Sequence, residues 1–199
     1  MPTRVLLVRH GQSEWNAVGR WQGQADPPLS DVGRRQAKAA ARTLGAVDAV
    51  VASDLQRAAE TATIIAGDLG VGPVLIEPLL RERDAGEWSG LTRAEIERQY
   101  PGYLADGLRP PGWETDEDVL ARALAALARI HDQVPDGEVL AVTHGGLVYV
   151  VEAHLSGSFE RLANGGGRYL SVDGDGLVLG ERVLLVGDEH TPVTVPGQI

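Results

Sequence analysis

The stretch RVLLVRHG, residues 4–11, contains an unbroken run of valine and leucine that ends at Arg9, His10 and a glycine. A run that is apolar at every position, rather than at alternate ones, is typical of a strand buried on both faces of a parallel sheet. Similar runs occur at residues 48–52, 74–76 and 138–142. We therefore predict a sheet whose first strand ends at two residues that can carry chemistry.

Helical patterns separate these runs. Ser30 precedes an alanine-rich stretch to Leu44, and residues 55–69 repeat apolar positions at helical spacing. Capping boxes predict helices after Thr92 and after Thr115. Strands that alternate with helices predict an α/β fold with a parallel sheet covered on both faces. With 199 residues and 43% hydrophobic content, the chain can bury one sizeable core, so we expect a single domain over residues 1–199.

The last third of the chain departs from this alternation. Residues 169–172 and 177–185, separated by DGDG, predict a hairpin that extends or edges the sheet. The three glycines at 165–167 lack the context of a dinucleotide loop and are interpreted as a flexible turn.

Composition excludes several classes of function. The chain has no cysteine, which excludes disulfides, thiolate zinc sites and a cysteine nucleophile. Its 28 acidic and 18 basic residues give a net charge of −10, which argues against a nucleic-acid partner. The apolar run before Arg9 is too short for a signal peptide, and the longest later run is interrupted by His144 and Glu152. We expect a cytoplasmic protein with no membrane partner. The oligomeric state stays open, and a homodimer is one of the states allowed.

Reactive side chains follow all four predicted strands. Ligands of open parallel sheets bind in the crevice at the carboxyl ends of the strands. Those ends carry Arg9 and His10, then Ser53 and Arg57, then Glu82 and Arg83, and finally His144 and Gly145. Each of these residues alone is more often structural, but a cationic cluster is costly to assemble without an anion. Because arginine grips phosphoryl oxygens with a planar fork, we predict a phosphate site here.

A histidine in a phosphate site can do more than bind. Neutral imidazole can attack phosphorus and form a covalent intermediate, and the leaving oxygen then needs a proton, for which Glu82 is the candidate donor. That chemistry requires no metal, and the sequence contains no metal-ligand spacing. We therefore expect neither a metal nor a cofactor.

Five motifs in order resemble one known family. LLVRHGQSEWN, residues 6–16, looks like the signature of the histidine phosphatase superfamily, the phosphoglycerate mutase-like group. The segments that resemble its later motifs are residues 20–37, 53–62, 80–96 and 142–146. The resemblance implies a three-layer α/β/α sandwich with a mostly parallel sheet. It also permits one antiparallel edge strand, a role that the tail hairpin could fill.

The resemblance also implies roles for individual residues. His10 becomes the nucleophile, Arg9, Arg57 and His144 the clamp on the phosphoryl group, and Glu82 the general acid and base. The residues expected to bind substrate are Ser13, Asn16, Gly23, Arg83 and Gly145.

The family divides between phosphatases and mutases. Mutases carry a pair of adjacent arginines between the catalytic glutamate and the second histidine, whereas the arginines after Arg93, including Arg109, are scattered here. We therefore expect a metal-independent phosphomonoesterase that acts on small phosphorylated metabolites through phosphohistidine. The alternatives are a cofactor-dependent phosphoglycerate mutase and, less favoured because all five core residues are intact, a non-catalytic phosphate-binding module. Trp21, Trp88, Trp113 and Tyr103 are interpreted either as a wall for the leaving group or as packing anchors.

Overall fold

The computed structural model describes residues 2–174, 176–187 and 191–196. In these residues, six strands alternate with helices along most of the sequence. The strands are β1 (Thr3–Arg9), β2 (Ala49–Ala52), β3 (Leu75–Ile76), β4 (Glu138–Thr143), β5 (Gly166–Asp173) and β6 (Gly176–Leu184). The helices are α1 (Glu14–Ala17), α2 (Asp31–Thr43), α3 (Gln56–Leu69), α4 (Arg93–Gln99), α5 (Asp116–Gln133) and α6 (Gly145–Ser156). Asp175, in the turn of the predicted hairpin, lies outside the described residues.

The strands form a single sheet in the order β3-β2-β4-β1-β5-β6. The pairs β3-β2, β2-β4 and β4-β1 are parallel, and β5 runs antiparallel to both β1 and β6. In the β1-β4 register Arg9 lies opposite Thr143, so the residues that follow, His10 and His144, leave the sheet side by side.

Helices cover both faces of the sheet. On one face, α5 and α6 pack on inward side chains such as Leu7 and Ala141, and on the other, α2 and α3 pack on Leu6 and Leu140. Successive side chains along each strand thus pack alternately into two separate hydrophobic cores, one on each face of the sheet. The predicted mostly parallel sheet within a three-layer α/β/α sandwich is confirmed.

Local sequence signals place most helix starts. The hydroxyls of Ser30, Thr92 and Thr115 accept hydrogen bonds from backbone N–H groups in the first turns of α2, α4 and α5. Helix α6 was not predicted, because its residues 145–152 are all buried and show no polar face that would reveal a helical period. No helix in the described part of the chain is long and apolar enough to cross a membrane.

The tail hairpin, β5 and β6, extends the sheet at one edge, as predicted. Strand β5 pairs antiparallel with β1 and with the edge strand β6, and Leu170 and Val172 of β5 are buried in the core under α5 and α6. The interpretation of the glycines at 165–167 as a flexible turn was wrong for two of them: Gly165 lies in a turn, whereas Gly166 and Gly167 begin β5. A Cβ on Gly167 would lie 2.8 Å from the carbonyl oxygen of Leu7, so glycine permits a close approach to β1.

Candidate active site

His10 lies at the end of β1, almost fully buried. Its Nδ1 is 2.6 Å from the carbonyl oxygen of Gly11, which can only accept, so Nδ1 carries the proton. Its Nε2 accepts a hydrogen bond from Nε of Arg57 at 3.2 Å. Burial, reinforced by the charges of Arg57 and Arg9, holds the pKa of His10 well below its usual range. The ring is therefore neutral, with a lone pair on Nε2.

Arg57 is held in place by backbone carbonyls. It sits in the first turn of α3, fully buried, and donates to Ala25 O at 2.7 Å and to Gly23 O at 2.9 Å. Burial lowers the pKa of its guanidinium to about 10, so it stays charged at neutral pH. The loop that contains Gly23 is thereby fixed to the same side chain that contacts the histidine.

Arg9 provides a second buried cation. Its Nη1 donates to Leu162 O at 2.7 Å, while its Nε is buried and has no hydrogen-bond partner among the described residues. Leu162 in turn donates its N–H to the hydroxyl of Tyr149, so the loop after α6 supports the guanidinium. Burial lowers the pKa of Arg9 as well.

His144 lies beside His10, with a ring-centroid distance of 5.1 Å. Its Nε2 is 2.9 Å from the hydroxyl of Ser53, and no group in the described part of the chain bonds its Nδ1. Burial and the Arg57 charge hold the pKa of His144 well below its usual range. Two neutral histidines and two guanidinium groups are therefore buried close together. The arrangement has excess positive charge and spare hydrogen-bonding groups that a phosphoryl group can satisfy.

Glu82 follows the short 3₁₀ helix Pro78–Leu80 and faces the start of α6. Its carboxylate accepts hydrogen bonds from the N–H of Arg83 at 2.8 Å and from that of Gly146 at 3.2 Å. A Cβ on Gly146 would lie 2.3 Å from Glu82 Oε1, so glycine at this position makes room for the carboxylate. Glu82 is placed to exchange a proton at the edge of the cationic site.

A family model described as histidine phosphatase superfamily (branch 1) matches residues 5–170. The chain belongs to this superfamily. Among curated relatives, the glucosyl-3-phosphoglycerate phosphatase of Mycolicibacterium vanbaalenii is 41% identical over 168 residues, which cover 77% of this chain and 74% of the relative. The metal-independent phosphoserine phosphatase of Arabidopsis thaliana is 38% identical over 164 residues, covering 77% and 69%.

A solved histidine phosphatase has the same fold. The structure of a mycobacterial glucosyl-3-phosphoglycerate phosphatase in complex with VO3 aligns with a TM-score of 0.81 and 33% identity, covering 90% of this chain and 98% of that one. The predicted family is confirmed by these comparisons.

A buried polar network supports the backbone of His10. Ser13 caps α1, donates its hydroxyl hydrogen to Gln22 at 2.6 Å and accepts from Asn16 N. Asn164 donates from Nδ2 to His10 O at 2.8 Å. Sequence reasoning missed Gln22 and Asn164, and it assigned Ser13 to substrate, whereas the Ser13 hydroxyl is engaged within the protein. Within the described residues, the buried Nδ2 of Asn16 has no hydrogen-bond partner.

The histidine phosphatase site opens into a cavity of about 180 Å³. Of the predicted site residues, Arg9, Gly23, Glu82 and Arg83 line it, whereas His10, Arg57 and His144 are buried next to it. Gly145 packs against Arg9, since a Cβ on Gly145 would lie 3.3 Å from the guanidinium carbon. Lining residues that the sequence did not indicate include Gln22, Tyr149 and Phe159.

The outer wall of this cavity is aromatic. Trp21, Trp88 and Trp113 pack edge to face at centroid distances of 5.4–5.7 Å. Trp88 is fully buried and Trp21 and Trp113 line the cavity, so the two interpretations, packing anchor and wall, apply to different members of one cluster. Within the described residues, no group of three or more histidine or carboxylate side chains could hold a metal ion.

Proposed function

We propose that this protein is a metal-independent phosphomonoesterase that hydrolyses small phosphorylated metabolites through a phosphoenzyme on His10. The observation that carries the proposal is the state of the His10 ring. It is buried and neutral, its Nδ1 hydrogen is committed to Gly11 O, and its Nε2 lies 3.2 Å from Nε of the buried Arg57. Relatives of the chain are named as phosphatases of small phosphate esters, which supports the same assignment.

In the first step, Nε2 of His10 attacks the phosphorus of the ester. A nitrogen–phosphorus bond forms while the bond from phosphorus to the alcohol oxygen breaks, and Glu82 gives its proton to that oxygen. Arg9, Arg57 and His144 face the phosphoryl oxygens, whose charge the two guanidinium groups stabilise. The phosphorylated ring is cationic, and Gly11 O stabilises it by accepting from Nδ1.

In the second step, water restores the enzyme. Glu82, now a carboxylate, takes a proton from a water molecule as the oxygen of that water attacks phosphorus. The nitrogen–phosphorus bond breaks, its electron pair returns to Nε2 of His10, and inorganic phosphate leaves. Gly146 N and Arg83 N hold the carboxylate in place for both transfers.

The decisive experiment combines turnover with trapping. We expect hydrolysis of p-nitrophenyl phosphate in excess EDTA, and an alkali-stable, acid-labile phosphoenzyme when the reaction is quenched in alkali. His10→Asn should abolish both signals. Loss of turnover in EDTA, or a phosphoenzyme that persists in His10→Asn, would overturn the proposal.

Product analysis separates the alternatives. With 3-phosphoglycerate and bisphosphoglycerate, a phosphatase releases phosphate, whereas a mutase forms 2-phosphoglycerate without release. Binding of phosphate with no turnover on any ester would instead identify a non-catalytic module. Assignment of Ser13, Asn16, Gly23 and Gly145 to the substrate pocket, the single domain, the cytoplasmic location and a homodimer all stay predictions.

A further inference from the structure

Tyr149 is a buried residue of the cavity that the proposed mechanism does not use. It lies on α6, the helix that begins directly after His144, and its side chain lines the cavity together with those of Arg9 and Glu82. Only 5% of Tyr149 is exposed, and its ring stacks on that of Phe159 at a centroid distance of 4.9 Å. Burial and stacking therefore fix the position of the phenol ring and of its hydroxyl.

The hydroxyl oxygen of Tyr149 has two polar neighbours that can only donate. The N–H of Leu162 donates to this oxygen at 2.9 Å. The guanidinium of Arg9 is the second neighbour, since a Cβ on Gly145 would lie 3.3 Å from the Tyr149 hydroxyl and 3.3 Å from the guanidinium carbon. Neither group can accept the hydrogen of the hydroxyl. Within the described residues, no acceptor bonds that hydrogen.

Arg9 presents a second donor in the same place. Its Nη1 is bonded to Leu162 O, but its buried Nε has no hydrogen-bond partner in the part of the chain that the structure describes. The same Cβ on Gly145 would lie 3.4 Å from this Nε. Two donors on buried side chains thus lie near each other beside the cavity, and neither hydrogen has an acceptor. Because an unsatisfied buried donor is costly, the pair favours an acceptor that enters from the cavity.

The charge of Arg9 indicates what that acceptor is. A guanidinium favours an anionic oxygen over a neutral one. The carboxylate of Glu82 also lies on the cavity wall, but it accepts from Arg83 N and Gly146 N. Residues 146 and 149 are three apart on α6 and share one face of the helix, so the Tyr149 hydroxyl lies on the side of α6 where Glu82 acts. An oxygen of the phosphoryl group under attack fits this position.

We propose that Tyr149 is a further catalytic residue, whose hydroxyl donates a hydrogen bond to a non-bridging phosphoryl oxygen that Arg9 also binds. The inference rests on the proposed phosphatase function and adds a neutral donor to its phosphate site. The hydroxyl keeps its proton while the phosphoryl group moves from the ester to His10 and from His10 to water. It therefore stabilises the charge of the phosphoryl oxygens in both steps and leaves the proton balance to Glu82.

The first test is Tyr149→Phe, which removes the hydroxyl and keeps a ring that can stack on Phe159. We expect kcat to fall by about 30-fold, and by the same factor for p-nitrophenyl phosphate and glycerol 3-phosphate, because both esters share the phosphoryl group. The Kd of orthovanadate, a mimic of the phosphoryl group in transfer, should rise by a similar factor. An unchanged kcat, or a loss on one ester alone, would overturn the proposal.

The matched control is Tyr100→Phe. The hydroxyl of Tyr100 donates to Glu87, and Tyr100 does not line the cavity, so this variant also loses one hydroxyl and one hydrogen bond. It should leave kcat and the Kd of orthovanadate unchanged. Equal losses in the two variants would show that the effect at Tyr149 is not a contact with the phosphoryl group.

Replacement of Tyr149 by 3-fluorotyrosine separates the donor role from support of the loop at Leu162. The fluorine makes the hydroxyl a stronger donor and a weaker acceptor. At pH 6.0, where the fluorinated hydroxyl keeps its proton, we expect orthovanadate to bind at least as tightly as it binds to wild type. If the hydroxyl only accepts from Leu162 N, orthovanadate should bind more weakly, as in Tyr149→Phe, and that result would contradict the donor role.

Turnover by wild type distinguishes the two levels of failure. If wild type and Tyr149→Phe hydrolyse p-nitrophenyl phosphate equally well, the role of Tyr149 is wrong and the phosphatase stands. If wild type hydrolyses neither ester, the proposed function itself fails.

Discussion

At its inner end the cavity is built from residues that follow strands, whereas at its outer end it is built from loops. His10, Arg57 and His144 are almost fully buried and each is fixed by at least one hydrogen bond. Arg109 is exposed and Trp113 is only partly buried, and both lie in the stretch between α4 and α5. Under the proposed function, we expect a division of labour in which the inner end binds the phosphoryl group common to all substrates and the outer end selects among leaving groups.

The largest effect is expected from the inner end. Arg57→Gln removes a buried cation next to His10 and should lower kcat by about 10³-fold for every ester, whatever its leaving group. The kcat values of the variant and of wild type for an aryl phosphate and an alkyl phosphate test this expectation. Because Arg57 also binds Ala25 O and Gly23 O, Arg57→Lys and a circular dichroism spectrum serve as controls for folding. A loss of kcat confined to esters of one leaving group would contradict the proposed division between the inner and outer ends of the cavity.

Glu82→Gln should separate esters by their chemistry. Alkyl esters need a proton on the leaving oxygen and should lose about 10²-fold in kcat. p-Nitrophenolate leaves without a proton, so formation of the phosphoenzyme from its ester should be nearly unchanged in a rapid-quench burst. A burst that slows as much as alkyl turnover would show that Glu82 does not act as the general acid.

A smaller effect is expected at Gly146, which lies against the carboxylate of Glu82. Gly146→Ala places a methyl group 2.3 Å from the present position of Glu82 Oε1, which forces the carboxylate to move and should reduce kcat about tenfold on alkyl esters. Gly67→Ala is the matched control, because it lies in helix α3 and its Cβ would contact nothing within 4 Å. If both variants behave alike, crowding of Glu82 is not the cause.

The last effect is on stability and not on turnover. His10 and His144 have pKa values well below 6.5 in the folded protein because of burial, so the unfolded chain binds protons first on acidification. The contribution of the two neutral histidines to the free energy of unfolding is complete above pH 6.5. As the pH falls below 6.5, the free energy of unfolding decreases by up to about 1.4 kcal/mol per pH unit for each histidine. Urea unfolding at pH 7.0 and 5.5 measures how the free energy of unfolding changes with pH, and His144→Gln should make that change smaller. The same pH dependence in the variant and in wild type would contradict the burial of a neutral His144.

The inner end could be predicted from sequence because its geometry follows from topology. Parallel strands end at one edge, so Arg9 and His10 after β1 and His144 after β4 had to meet there. The outer end could not be predicted, because the loop that brings Arg109 close to Arg83 contains prolines and has no hydrophobic periodicity. Asn164 was missed for a similar reason: it contacts His10 only because β5 pairs next to β1, a choice that no local pattern dictates.

The fold shows the same limit. Capped and amphipathic helices were predicted within a few residues, because hydroxyl caps and apolar spacing are local signals. Helix α6 was missed because burial on all sides removes that spacing. The position of β5 in the sheet depends on the packing of Leu170 and Val172 under two helices, which is a property of the whole fold.

The sheet order has a consequence for synthesis on the ribosome. Strand β1 lies between β4 and β5, so both neighbours that it pairs with are encoded late in the chain: β1 ends at Arg9, while β4 begins at Glu138 and β5 at Gly166. At the usual rate of elongation, the nascent RVLLVRHG segment leaves the ribosome on the order of ten seconds before either partner exists. The segment that carries His10 is therefore made well before the two strands that pair with it, and the site around His10 assembles only after both have been made.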